Sequence, residues 1–174
     1  MTEQGSSAGW HWTAETAGDG AHRFCRIRLV LPCGVIGDPY AWSVVGLVQG
    51  EIDDLLDRLA PQPALPGAAG LGASALFAGL HRWHEGGPRP AFATAGAGPR
   101  GFRALPAATE IFDGEEAWLV RSGAAALLLW RDHASGLVRE AAVDFAAWLA
   151  GWRAVREAVG QDGRGSVALT VGAL

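Results

Sequence analysis

The segment Ala117–Val143, AWLVRSGAAALLLWRDHASGLVREAAV, holds three apolar runs separated only by Ser122-Gly123 and by the turn His133-Ala134-Ser135-Gly136. Neither connection is long enough for the crossover that parallel strands need, so the runs predict an antiparallel meander. The middle run is apolar on both faces, which makes it the centre of the sheet. Asp144 follows at once and can cap a helix over 145–159, whose Phe145, Trp148, Leu149, Trp152 and Val155 form a wide apolar face. A helix with such a face must lie on the sheet. These features commit the chain to an α+β class: one domain, mainly an antiparallel sheet, with helices packed on one face.

Upstream, HRFCRIRLVLP over 22–32 alternates, with Cys25, Ile27, Leu29 and Leu31 pointing one way and Arg26 and Arg28 the other. After the turn PCGVIGDP, residues 40–50 (YAWSVVGLVQG) read as a second, more buried strand antiparallel to the first. EIDDLLDRLA predicts a helix with Ile52, Leu55, Leu56 and Leu59 on one stripe and Asp53, Asp54 and Asp57 facing away. A further helix is expected over 71–85. The Gly- and Pro-dense 85–101 reads as a long mobile loop between two halves of one sheet, and 102–112 as a poor edge strand broken at Pro106. GQDGRG over 160–165 reads as a turn, and residues 166–174 as a last strand or a frayed end. Residues 1–21 read as a flexible arm ahead of a single domain over 22–174, except that the alternate Trp10 and Trp12 can dock on one side of a short strand.

At 49% apolar and 18% charged residues, with eight Trp, the 174-residue chain can bury one proper core. Trp118, Trp130, Trp148 and Trp152 fall at core-facing positions; Trp10, Trp12 and Trp42 are open to either a core or a binding role. A net charge of −4 gives no electrostatic case for nucleic acid, because such binders carry a basic patch or stripe. No apolar run is long enough for a membrane span and the start MTEQGSSAGWHW is no export signal, so a cytoplasmic protein is expected. Cys25 and Cys33 make neither a disulfide framework nor a zinc site and are expected to be buried or inert thiols.

Chemistry concentrates in EIFDGEE, where Glu110, Asp113, Glu115 and Glu116 crowd into seven residues. A glycosidase needs two carboxylates about 5–9 Å apart across a cleft, one with a raised pKa. An Asp-Gly turn in solvent should leave every pKa ordinary, so the cluster is read first as a solvated turn. DGEE lacks the spacing of a calcium loop. In HRWHE, Arg82 stands where a zinc-protease helix places its Glu after the first His, so His81 and His84 are expected at a helix end without metal. Asp132, His133 and Ser135 share one reverse turn and cannot fold onto one another as a triad. GAAGLG is no phosphate loop, and no cofactor is expected.

FDGEEAWLVR, then ALLLWRDHASGLVREAAV, then a closing helix together resemble the immunity proteins of bacterial polymorphic toxin systems, and among them immunity protein family 42. Members show an early strand pair with a small Gly-bearing turn, a helix, a late Phe-Asp segment, a strand ending in Trp-Arg, and a final helix. The corresponding residues are Ile36-Gly37-Asp38 to Gln49-Gly50, Phe112-Asp113-Gly114 and Leu129-Trp130-Arg131-Asp132, and the likeness runs over 22–157. The resemblance implies a non-enzymatic antitoxin that occludes the toxic domain of its cognate effector. Charge and expected exposure, without a family motif, nominate Asp53, Asp54, Asp57, Glu110, Asp113, Glu115 and Glu116 as the partner surface. A small hydrolase using the acidic cluster and a non-catalytic scaffold or regulator are the alternatives.

Overall fold

A computed structural model describes residues 9–32, 34–62, 65–68, 70–93, 98–107, 109–122, 124–133, 135–161 and 165–170. Cys33, the first eight residues of the expected arm and the last four residues of the chain lie outside them.

The meander forms as the turns dictate. β5 (Ala117–Ser122), β6 (Ala125–Arg131) and β7 (Val138–Asp144) pair antiparallel in that order, with Leu119 opposite Leu128 and Leu128 opposite Ala141. Alternation then divides the side chains of β6 between two layers. Ala126, Leu128 and Trp130 enter the main core, while Leu129 and the partly buried Leu127 join a second cluster with Trp118, Val120, Leu76, Phe77, Leu80 and Phe102. The middle strand is therefore buried on both faces. α2 (Ala73–His84) covers the second cluster. α3 (Phe145–Gly160) begins where Asp144 Oδ1 accepts the Ala147 amide at 2.6 Å, and buries Phe145, Trp148, Leu149, Trp152, Val155 and Val159.

A second antiparallel sheet closes the main core. Its strands are β1 (His11–Ala17), β2 (Phe24–Leu31), β3 (Gly34–Ile36), β4 (Ser43–Val44) and β8 (Gly165–Thr170). They lie in the order β3-β2-β1-β8, with β4 also against β2. Cys25, Ile27, Leu29 and Leu31 face inward as their alternation predicts, and burial pushes the Cys25 thiol up to about 12 against the opposing pull of Arg23. Glu15 on β1 pairs with Arg26 and Arg28 of β2. The fold is thus a single α+β domain of antiparallel sheets with helices packed on them.

Four expectations need correction. His11–Ala17 is an interior strand between β2 and β8, not part of an arm; Trp10 and Trp12 hold it down, their rings 5.5 and 5.6 Å from that of Trp148, with Trp12 4.1 Å from Trp152. Residues 40–50 yield only Ser43–Val44 as strand, because α1 (Val45–Leu59) starts there and buries Val45, Val48, Ile52, Leu55 and Leu59 at helical spacing. Tertiary burial overrides the strand preference of the valines. Residues 85–101 connect two distinct sheets, not two halves of one, and Phe92 packs back against the second cluster. Finally, a short 3₁₀ turn at Pro99–Phe102 leads into 102–112, whose described residues form an isolated bridge from Arg103 to Trp118 and a second 3₁₀ turn at Glu110–Phe112, with no edge strand among them.

Candidate functional site, an acidic turn between two clefts

The turn 113–116 is held from below. Ile111 and Phe112 are buried, the Phe112 ring meets Trp152 edge-on at 6.0 Å, and the Glu115 amide donates to Phe112 O at 3.0 Å. Gly114 supplies the positive φ of 76° that reverses the chain. Asp113 and Gly114 are exposed, but Glu115 and Glu116 fold back beside the protein.

Glu115 is held by both sheets. Its Oε1 accepts the Gly37 amide at 3.2 Å from the loop after β3, and its Oε2 lies 3.5 Å from His133 Nε2 in the β6–β7 turn. Gly37 is required there: its φ is 106°, and a Cβ would stand 2.7 Å from Ile27 O and 3.2 Å from the Phe112 ring. Burial raises the Glu115 pKa above the ordinary carboxylate value, and the charges of Asp132 and Asp38 push the same way, against the opposing pull of the Gly37 amide and His133. The expectation of a solvated turn with ordinary pKa values therefore fails at Glu115, because the Gly37 loop and the β6–β7 turn enclose it on two sides.

Glu116 turns toward α2. Its Oε1 sits 2.5 Å from His81 Nδ1 and its Oε2 3.7 Å from Arg131, whose guanidinium lies 5.0 Å over the Phe77 ring. Beyond it, His84 sits edge-on to Trp118 at 5.6 Å, with Arg103 3.5 Å away. Burial lowers the Arg103 pKa, and neighbouring Arg58 and Arg100 add to the effect while Glu116 opposes it.

A cleft opens on each side of the turn. The larger, about 530 Å³, is walled by Val35, Pro39 and Trp130 and carries Asp38, Asp132 and His133. The smaller, about 290 Å³, lies toward His81, His84 and Arg103. Asp113 and Glu115 line both. Together the two hold six carboxylates and three guanidinium groups, a local excess of three negative charges on a chain whose net charge is −4. Among the described residues no group of three or more His, Cys, Asp or Glu side chains converges as metal ligands would.

The seven nominated carboxylates separate into two sets. Asp53, Asp54 and Asp57 are exposed on α1, where Asp53 pairs with Arg156 of α3 at 2.5 Å and Asp54 with Arg58 at 2.7 Å. Glu110 is exposed on its 3₁₀ turn, and none of these four lines either cleft. Asp113, Glu115 and Glu116 do come together, although Glu115 and Glu116 are partly buried and so depart from the exposure on which they were nominated. Sequence reasoning missed Gly37, Asp38 and Arg131 as parts of the site, and weighed His81 and His133 for other chemistry. The available signal was GDP after a short apolar run, a turn able to place a backbone amide against an acid.

With this geometry in view, comparison of the chain with family models, with curated proteins and with solved structures gives no match. Among the described residues no helix is long and apolar enough to cross a membrane.

Proposed function

We propose that this chain is a non-catalytic antitoxin that binds the toxic domain of a cognate effector in the cytoplasm and blocks it by occlusion. The observation that carries the reading is the acidic double cleft with exposed apolar side chains beside it: Val35 lines the larger cleft at 53% exposure, and Tyr40, one residue beyond its wall at Pro39, stands 86% exposed. An aromatic anchor within reach of charged groups is the arrangement that concentrates binding energy in protein interfaces. Excess negative charge would speed capture of a basic partner such as a nuclease domain. The resemblance of its motif order to that of immunity protein family 42 points to the same reading.

Its test begins with the neighbouring genes, one of which should encode an effector with a toxic domain, and continues with co-expression of that domain. Growth should be restored and a complex should co-purify; a cell killed as fast with the chain as without it refutes the proposal. The raised pKa of Glu115 lends one specific observation to the hydrolase alternative, since a glycosidase acid needs such a shift. That alternative requires turnover of a glycoside panel that Glu115→Gln abolishes while the fold persists.

A further inference from the structure

The charged groups of the larger cleft are unequally satisfied. Its two guanidinium groups face carboxylates that do not line it: Arg28 reaches Glu15 on β1 at 3.4 Å, and Arg131 reaches Glu116 on the far side of the turn at 3.7 Å. Asp132 has Arg139 at 3.5 Å, and Glu115 has His133. Among the described residues Asp38 accepts a neutral amide, that of Tyr40 at 2.7 Å, and Asp113 is an exposed residue lining both clefts. Asp132 and Asp38 stand close enough to Glu115 for their charges to add to the burial that raises its pKa. A cation entering the cleft would relieve that repulsion.

The walls restrict which cation fits. Val35, Pro39 and Trp130 are apolar, and the volume lies within the roughly 300–1,000 Å³ of ligand-sized sites. A side chain with an apolar stem and a charged head matches this lining better than a compact hydrated ion. A planar guanidinium can also offer several N–H groups at once to carboxylates that approach from different elements. We infer that the larger cleft is the receptor for one arginine side chain of a partner protein, its stem against Val35 and Pro39 and its guanidinium between Asp38, Asp113 and Glu115. Tyr40 is placed to cover residues flanking that arginine. The inference rests on the antitoxin reading for the partner's identity, and the cleft chemistry stands apart from it.

The full chain is titrated with N-acetyl-arginine methylamide and, separately, with the neutral isostere N-acetyl-citrulline methylamide, followed by amide chemical shifts. The arginine compound should give saturable shifts at Gly37, Asp38, Gly114, Glu115 and His133, weakened by added salt, and citrulline should give none. Asp38→Asn with Asp113→Asn removes two charges, while the new carboxamide beside Tyr40 keeps an oxygen that can accept the Tyr40 amide. The double variant should therefore fold and bind the arginine compound roughly tenfold more weakly. Equal response to citrulline, shifts centred elsewhere, or undiminished binding by the double variant would each overturn the receptor. Co-expression separates the two proposals. Protection without the arginine response removes the receptor and keeps the antitoxin, whereas the response without protection does the reverse.

Discussion

The Gly37 amide donates to Glu115 Oε1 across 3.2 Å, joining the loop after the edge strand of one sheet to the turn that leads into the other. The contact spans 78 residues of sequence. It fixes a carboxylate whose side chain is only 13% exposed between like charges, which is why its position matters for both stability and binding.

The raised pKa of Glu115 sets a sign for pH dependence. Its folded pKa lies above the reference value of 4.5, so its contribution to stability is fully present below that value and is lost as pH rises through the folded pKa. Glu115→Gln abolishes this titration and keeps an oxygen for the Gly37 amide. Urea unfolding at a series of pH values should show the variant gaining on the wild type as pH rises from about 4 toward 7. A constant difference across that range would contradict the burial-driven shift.

Trp12, on the interior strand β1, is completely buried, with the rings of Trp148 and Trp152 of α3 against it. Trp12→Ala should destabilise the fold by about 3–5 kcal/mol, the usual cost of emptying so large a core site. Tyr40→Ala, at an 86% exposed position, should stay within about 0.5 kcal/mol of wild type. Under the proposed function Tyr40→Ala nevertheless weakens the partner complex. Denaturant curves for both variants, with binding measured for the second, check the pair.

Asp144 Oδ1 accepts the Ala147 amide at the start of α3, satisfying one of the unpaired donors of the first turn. Asp144→Ala should therefore cost about 1 kcal/mol, and Asp144→Ser much less. Equal losses for both would show that the carboxylate acts through something other than the cap.

How far the sequence reveals this molecule depends on whether the partners of a segment are local. β5, β6, β7 and α3 are legible because short turns and an Asp cap determine their neighbours within a few residues. β1 is not: HWTAETA has few large apolar side chains, and what buries it is Trp148 and Trp152, far along the chain on α3. The start of α1 misleads because Val44, Val45 and Val48 favour strands, while the helical spacing of Val45, Val48, Ile52, Leu55 and Leu59 is the signal that tertiary packing selects. At the site the acidic run is plain, but the division of labour within it is not. Glu115 becomes an enclosed acid only because Gly37 and His133 reach it from two other parts of the chain.

Gly37 and Gly114 both hold positive φ at this site, and their surroundings predict different penalties for alanine. At Gly114 a Cβ meets nothing nearer than the His133 ring at 3.7 Å, so Gly114→Ala should cost only the left-handed backbone penalty, about 1 kcal/mol. At Gly37 a Cβ would come within 2.7 Å of the Ile27 carbonyl, a backbone atom with no rotamer to relieve it. Gly37→Ala should thus cost clearly more and should draw the Gly37 amide away from Glu115, shifting the Glu115 and His133 resonances together. Equal destabilisation by the two variants, or a Gly37→Ala spectrum unchanged at Glu115, would mean that this loop adjusts freely and does not hold the acid in place.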